Sequence, residues 1–142
     1  MIQREPIYAA LFAKLQAIPG VVTCSRRLVH WADVTSAQQP AIFQAQRSEQ
    51  VTQETGNPTV WKLAVDIYIY VKAPTTDAPA QYLNPLLDAV SAALGPENPV
   101  TNRCTLGGLV HYARIAGQIE TDEGTLGDQA VAIVPIEILV TD

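Results

Sequence analysis

The sequence predicts an α+β fold, a single domain in which two α-helices pack on a mainly antiparallel β-sheet. Two stretches repeat their apolar residues at helical spacing, and several others alternate apolar with polar residues as strands do. Strands follow one another in groups instead of alternating with helices, which favours hairpin connections over parallel βαβ units. A chain of 142 residues is long enough for one such domain, residues 1–142, with a substantial core.

The first predicted helix covers residues 7–18. Its apolar residues recur at intervals of four, four and three and so share one stripe: Ile7, Leu11, Leu15 and Ile18. Pro6 suits a first-turn position, where a missing N–H costs nothing, and Pro19-Gly20 ends the helix.

Two strands are predicted next, at residues 21–31 and 41–51, with a turn-prone stretch at residues 32–40 between them. We expect these strands to form a hairpin. Residues 44–58 contain few apolar side chains, so we expect them to project as an arm or a mobile loop.

The third predicted strand, residues 61–72, alternates almost without fault. Its inner stripe is wholly apolar: Trp61, Leu63, Val65, Ile67, Ile69 and Val71. The opposite face mixes tyrosines with charges: Lys62, Ala64, Asp66, Tyr68, Tyr70 and Lys72. One face therefore belongs to the core, and the other suits a covered surface better than one that meets only water.

A second helix is predicted to run from Leu83 to Leu94. Either Asn84 is its N-cap with Pro85 in the first turn, or it begins near Pro79 and bends at Pro85; the first is simpler. Strands at residues 109–120 and 129–140 follow, joined by a turn at residues 121–128, and Pro135 indicates an edge or a bulge. The predicted order is α-β-β-β-α-β-β.

The composition argues against several functional classes. A net charge of −5 does not suit binding to nucleic acid through its phosphates, and we interpret Arg26-Arg27 as solvated charges on an edge strand. The sequence contains neither a secretory signal nor an apolar run long enough to cross a bilayer, so we expect a cytoplasmic protein with no membrane partner.

Catalytic and metal-binding patterns are weak. His30 and His111 are predicted to lie in strands, and Cys24 and Cys104 have no CxxC spacing, so we expect reduced, partly buried thiols and no Cys-His dyad. The acids at positions 120, 122, 123 and 128 lack EF-hand spacing, and Gly107-Gly108 lacks a phosphate-loop lysine. The sequence therefore predicts no enzyme, no cofactor and no metal.

A protein interface is the functional site that the sequence predicts instead. Tyrosines flanked by charges are common where one subunit covers another, although a helix of the same chain could cover this face equally well. The candidate interface residues are Lys62, Asp66, Tyr68, Tyr70, Lys72, Arg47 and Glu49. An alternative of a different class is a small ligand-binding domain or enzyme that uses the sheet face around Asp66, Tyr68 and Tyr70.

Five segments together carry a resemblance to a known family. They are the opening helix at residues 7–18, the strand that starts Trp61-Lys62-Leu63, the helix at residues 83–94 that ends in Leu-Gly-Pro, the run Leu106-Gly107-Gly108-Leu109-Val110, and the closing strand at residues 130–138. In these features the chain resembles the tail-terminator and tail-completion proteins of lambda-like long-tailed bacteriophages.

The resemblance implies a non-enzymatic virion protein, assembled in the host cytoplasm and located in the phage tail. It implies a homo-oligomeric ring of six copies that caps the tail tube, stops its polymerisation and joins the head. The implied partners are the tail tube protein and the head-tail connector, with DNA passing through the ring without sequence-specific binding. The acidic net charge suits such a lumen. A neck or head-completion protein at the connector is the alternative within the same particle.

Overall fold

The computed structural model describes residues 1–74, 76–124 and 127–142 and confirms the α+β fold class. The helices are α1 (Arg4–Gln16) and α2 (Ala80–Ala93). The strands are β1 (Thr23–Ser25), β2 (Ala41–Thr52), β3 (Val60–Lys72), β4 (Tyr112–Ile115), β5 (Glu120–Glu123) and β6 (Gln129–Thr141). The observed order, α-β-β-β-α-β-β-β, contains one strand more than the sequence predicts.

The strands form one sheet in the order β1-β2-β3-β6-β4, and β5 lies beside β6 on the same side as β4. Every pairing is antiparallel except that of β1 with β2. The predicted hairpin between the first two strands is therefore wrong. Residues 26–40 cross the sheet and return to its starting end, so β2 enters beside β1 in the same direction.

The predicted strand at residues 109–120 is divided into β4 and β5, and Pro135 explains the division. The Pro135 carbonyl accepts the N–H of Ala116 at 3.1 Å, so its backbone polar groups point toward the β4/β5 edge. The proline cannot donate there, and the neighbouring strand breaks opposite it. Thr125 and Leu126, in the predicted turn after β5, lie outside the described residues.

Helix α2 begins at Ala80 with Pro79 as its N-cap, which agrees with the second predicted alternative and not with the simpler one, so Pro85 lies inside the helix and not in its first turn. The Pro79 carbonyl accepts the N–H groups of Tyr82 at 3.0 Å and Leu83 at 3.2 Å, which forms the first turn ahead of Pro85. The Pro85 side chain is exposed, so the missing N–H removes one helical hydrogen bond without a core clash.

Both helices pack on the same face of the sheet, and the core lies between them. The β3 stripe is buried as predicted from Leu63 to Val71, while Trp61 is half-buried at the strand's start. The alternate β6 residues Ala132, Val134, Ile136, Ile138 and Val140 join that stripe in the main core, with Leu11, Leu15, Leu83 and Val90 from the helices. Neither of the helices described is long and apolar enough to span a membrane.

Residues 44–58, expected to project, are divided between strand and loop. Residues 44–52 belong to β2 and pair with β3, which is itself paired with β6, and the Gln44 side chain is buried. Residues 53–58 form an exposed connection between β2 and β3.

Candidate interaction surface

One end of the outer face of the sheet, the face turned away from both helices, is covered by the chain's own loop. This covering loop, residues 26–40, contains two short 3-10 helices, Trp31–Asp33 and Ser36–Gln38. It builds a second, smaller core with the sheet, whose buried members are Val34, Ala41, Phe43 and Tyr70. Val29, Trp31, Tyr68 and Val131 pack at its margin. A loop, and not a helix, therefore covers this end.

Tyr70 anchors the covering loop. Its hydroxyl donates to the Val29 carbonyl at 2.7 Å, and its ring packs on Phe43 with 5.4 Å between ring centroids. Burial raises the pKa of Tyr70 to about 12, so the hydroxyl keeps its proton and stays a donor. Tyr70 is only 3% exposed, so this predicted interface residue is buried by contacts within its own chain.

Apart from Pro135, which is buried, the rest of the outer face is open to solvent. We call it the open face and define it by nine residues: Ser48 and Gln50 on β2, Lys62, Ala64, Asp66 and Tyr68 on β3, and Ile133, Glu137 and Leu139 on β6. Ser48, Gln50 and Lys62 are exposed, and the other six are half-buried. The open face thus mixes half-buried apolar and aromatic area with charge.

An ion pair between β2 and β3 lies at the margin of the open face. The register of β2 against β3 shifts between Gln46 and Ser48, and at this bulge Arg47 lies with its Nε 3.8 Å from the Asp66 carboxylate. The bulge thus brings Arg47 of β2 to Asp66 of β3.

A second polar group lies at the β4 side of the open face. The Tyr112 hydroxyl donates to Glu137 at 2.5 Å, and Arg114 lies over the Tyr112 ring, 4.1 Å from its centroid, while approaching Glu137 at 3.4 Å. The Tyr112 hydrogen bond, followed by the charge of Arg114, lowers the pKa of the Glu137 carboxyl. This cluster holds its charges in a defined geometry on the surface.

Two other candidate residues lie away from the open face. Lys72 is at the end of β3, where its ammonium is 3.4 Å from Asp128. Glu49 lies on the helix side of the sheet, opposite Leu63, and accepts from Arg4 at 2.9 Å and from Tyr8 at 3.1 Å. Glu49 therefore ties α1 to β2.

The histidines and cysteines are engaged in structural contacts. His30 Nδ1 accepts the N–H of Ala32 at 3.2 Å at the start of a 3-10 helix, and His111 Nε2 lies 2.8 Å from the Thr141 hydroxyl. Both were predicted to lie in strands, but His30 lies in the covering loop and His111 directly precedes β4. Both cysteines are free, Cys24 half-buried and Cys104 buried, and burial raises the pKa of each thiol. A raised thiol pKa does not suit a nucleophile.

Glu97 organises the glycine-containing stretch before β4. Its carboxylate accepts from the Thr105 hydroxyl at 2.6 Å and from the Gly107 N–H at 3.1 Å, with Lys14 at 3.5 Å. The hydrogen bond from Thr105, then those from the backbone, hold the pKa of Glu97 at about 2. Gly107 has φ +73°, a left-handed conformation that favours glycine, so this glycine permits the bend before β4.

Acidic residues are not gathered into a metal site within residues 1–74, 76–124 and 127–142, where no group of three or more His, Cys, Asp or Glu side chains could hold an ion. Glu120 and Asp122 instead rise from β5 along the rim of a groove of about 610 Å³. Trp31 of the covering loop lines its other side, and Val131 and Ile133 of β6 lie between.

The two edges of the sheet differ. β1 pairs with β2 only at residues 41–43, so the outer backbone edge of β2 is unpaired from residue 44 onward among the described residues. The other edge is made of the short strands β4 and β5. Neither the covering loop nor the groove was predicted from the sequence. The signal for the loop was the set of apolar residues Val29, Trp31 and Val34, of which the first two were assigned to a predicted strand and the third to a turn-prone stretch.

Comparisons with known proteins show a fold likeness only. No protein-family model and no curated protein matches the sequence. Among solved structures, a chain from the virion of a native gene transfer agent (GTA) particle is similar over 94% of this chain and 93% of its own length. The TM-score is 0.49 and the sequence identity is 14%, a likeness too weak to bear on function.

Proposed function

We propose that this protein is a structural virion component that forms a ring on the end of a phage tail tube, ends tube polymerisation and presents the surface that joins the head. The observation that carries the proposal is the open face. Half-buried Tyr68 and Leu139 lie beside Lys62 and Asp66 there, a mixture of aromatic, apolar and charged area that suits contact with another protein.

The two unlike edges of the sheet support a ring. A head-to-tail contact needs two different lateral surfaces on each subunit, and it closes into a ring when its rotation allows. The unpaired edge of β2 differs from the β4/β5 edge, so each subunit carries unlike lateral surfaces.

The family resemblance of the sequence supplies the specific role. It indicates six copies, with the tail tube protein and the head-tail connector as partners and no enzymatic activity. Of the seven candidate interface residues, Lys62, Asp66 and Tyr68 lie on the open face, with Arg47 at its margin and Lys72 at the end of β3. Tyr70 and Glu49 make internal contacts and are not part of the proposed interface.

The test is deletion of the gene from the genome that encodes the particle, followed by electron microscopy of the tails. Termination predicts tails of uncontrolled, excessive length, restored to uniform length by the wild-type gene. Tails of normal length that fail to join heads would indicate a neck or head-completion protein instead. Native mass spectrometry of the purified protein, alone and with tail tubes, measures the ring size, for which we expect six.

A further inference from the structure

The groove beside Trp31 has an apolar floor. Val131 and Ile133 are half-buried within it, and Ile119, just before β5, is 39% exposed at its side. Trp31 forms the opposite wall and is itself held by the second core. An apolar side chain entering this groove would therefore meet aliphatic and aromatic surface.

The rim of the groove carries negative charge. Glu120 pairs in register with Ile133, and Asp122 with Val131, so both carboxylates stand on the same face as the floor. Across the described ranges neither carboxylate has a cation within ion-pair distance or a side-chain hydrogen bond. Two unpaired carboxylates facing a tryptophan favour a cation, and a guanidinium can use both the charge and the aromatic face.

A matching feature projects elsewhere on the chain, on the loop at residues 98–103. Val100 is 91% exposed at its tip. Asn98 builds the loop, since its side chain accepts the Val100 N–H at 2.8 Å and its carbonyl accepts the Asn102 N–H at 3.0 Å. Arg103 closes the loop because its backbone forms an isolated antiparallel β-bridge with Asn98. The Arg103 side chain is exposed, and among the described residues no carboxylate lies within ion-pair distance of it. The loop thus presents an apolar side chain and a free cation on a preformed backbone.

We propose that the 98–103 loop of one copy of this chain inserts into the Trp31 groove of the next copy. Val100 packs on the apolar floor, and the Arg103 guanidinium meets Glu120 and Asp122 beside Trp31. The two features complement each other in both polarity and charge. This inference rests on the proposed ring and names its lateral contact.

The contact must join two copies because the features lie apart on one chain. The 98–103 loop leads through Cys104, whose carbonyl accepts the N–H of Ala113, to β4, which pairs with the second half of β6. Ala113 is opposite Ile138 and Glu120 is opposite Ile133, a separation of roughly 17 Å at the rise of a strand. Loop and groove are unlike surfaces, so their contact is head-to-tail and can close a ring.

Two other cations without a described carboxylate partner fit the groove less well. Arg27 belongs to the covering loop that forms the groove's own wall, and Lys62 lies on the flat open face. Neither is carried on a projecting loop beside an exposed apolar residue. Arg27 is therefore a suitable control.

The test is charge reversal on each side of the contact, measured by native mass spectrometry and sedimentation. We expect the double variant Glu120→Arg/Asp122→Arg and the variant Arg103→Glu each to weaken self-association by about 100-fold or more, because like charges would face each other. An equimolar mixture should recover the wild-type assembly, since every contact in an alternating ring is then between opposite charges. Val100→Asp should weaken association without rescue by either variant.

Glu123→Arg and Arg27→Glu are the matched controls, because they reverse charge on β5 and on the covering loop at residues that do not line the groove. Both should assemble as the wild type does. Normal assembly of the folded groove and loop variants would overturn the inference while leaving the ring intact, as would failure of the mixture to recover. A wild-type chain that stays monomeric, even with tail tubes, would overturn the ring and this contact together.

Discussion

The Tyr70 hydroxyl donates a 2.7 Å hydrogen bond to the backbone carbonyl of Val29, 41 residues earlier in the chain. This bond fastens the covering loop to the sheet and decides which part of the outer face another protein can reach. On β3 the division falls between Tyr70, which is buried, and Tyr68, which is half-buried.

Replacing Tyr70 by Phe should lower the free energy of unfolding by about 1 kcal/mol or somewhat more, because the Val29 carbonyl loses its hydrogen-bond donor in a partly buried place. Urea denaturation measures this change. Hydrogen exchange should also rise in residues 29–34. Tyr68→Phe is the matched control, since no hydrogen bond is described for its hydroxyl, and equal costs for the two variants would contradict the anchoring role of Tyr70.

Pro135 lies in β6 with its nitrogen toward the break between β4 and β5, whereas the neighbouring even-numbered residues point their N–H groups toward β3. We therefore expect Pro135→Ala to change the free energy of unfolding by no more than about 1 kcal/mol. Ala132→Pro should cost several times as much, because it removes a bond from the central β3–β6 ladder. Thermal unfolding of both variants compares them, and a tolerated Ala132→Pro would contradict the assigned backbone directions.

The lowered pKa of Glu97 predicts how the stability of the protein changes in acid. Its pKa of about 2 in the folded protein lies below its ordinary value of 4.5, so the folded state favours the charged form. That contribution is complete above pH 4.5 and is lost as the pH falls toward 2. Glu97→Gln should therefore be less stable than the wild type at neutral pH, and the difference should shrink through this window.

The control for Glu97 is Glu123→Gln, an exposed β5 carboxylate without a described cation partner. Its unfolding free energy should run parallel to the wild type in a titration of stability against pH. A Glu97→Gln difference that stays constant down to pH 2 would show that the Thr105 and Gly107 hydrogen bonds do not favour the charged carboxylate.

Glu49 and Lys62 should separate stability from assembly. Glu49→Gln weakens the contacts with Arg4 and Tyr8 on the helix side, and we expect a loss of about 1 kcal/mol in unfolding free energy with unchanged self-association. Lys62→Glu changes the exposed open face, so we expect unchanged stability and weaker assembly. Urea denaturation measures the stability of both variants, and native mass spectrometry measures their assembly. Weaker assembly of Glu49→Gln with normal assembly of Lys62→Glu would place the interface on the helix side.

Several elements follow directly from the sequence. The stripe from Leu63 to Val71 alternates apolar with mixed residues, and it is buried because period-two alternation places every second side chain on one face. The strand at residues 129–140 was predicted almost to its observed bounds for the same reason. Of the two predicted starts of α2, the one near Pro79 is observed and the simpler one at Pro85 is wrong, because Pro85 suits a first turn but is also tolerated where its ring points to solvent.

Site prediction was limited by contacts between residues distant in sequence. Glu49 looked like part of a projecting arm, but the bulge between Gln46 and Ser48 shifts the register and leaves Glu49 facing α1. A bulge of this kind depends on how the strands pair, and a local sequence pattern does not predict that pairing. The groove beside Trp31 likewise needs the covering loop, β5 and β6 in place together.

The sequence alone determined the fold class, the buried face of β3, and the mixed character of its opposite face, because these depend on local periodicity and composition. The tertiary structure decided what covers that opposite face. Residues 26–40 fold back over Tyr70 and Phe43 and leave Lys62, Asp66 and Tyr68 accessible, a division set by packing between segments about 40 residues apart. Local patterning does not encode which distant segment supplies that packing.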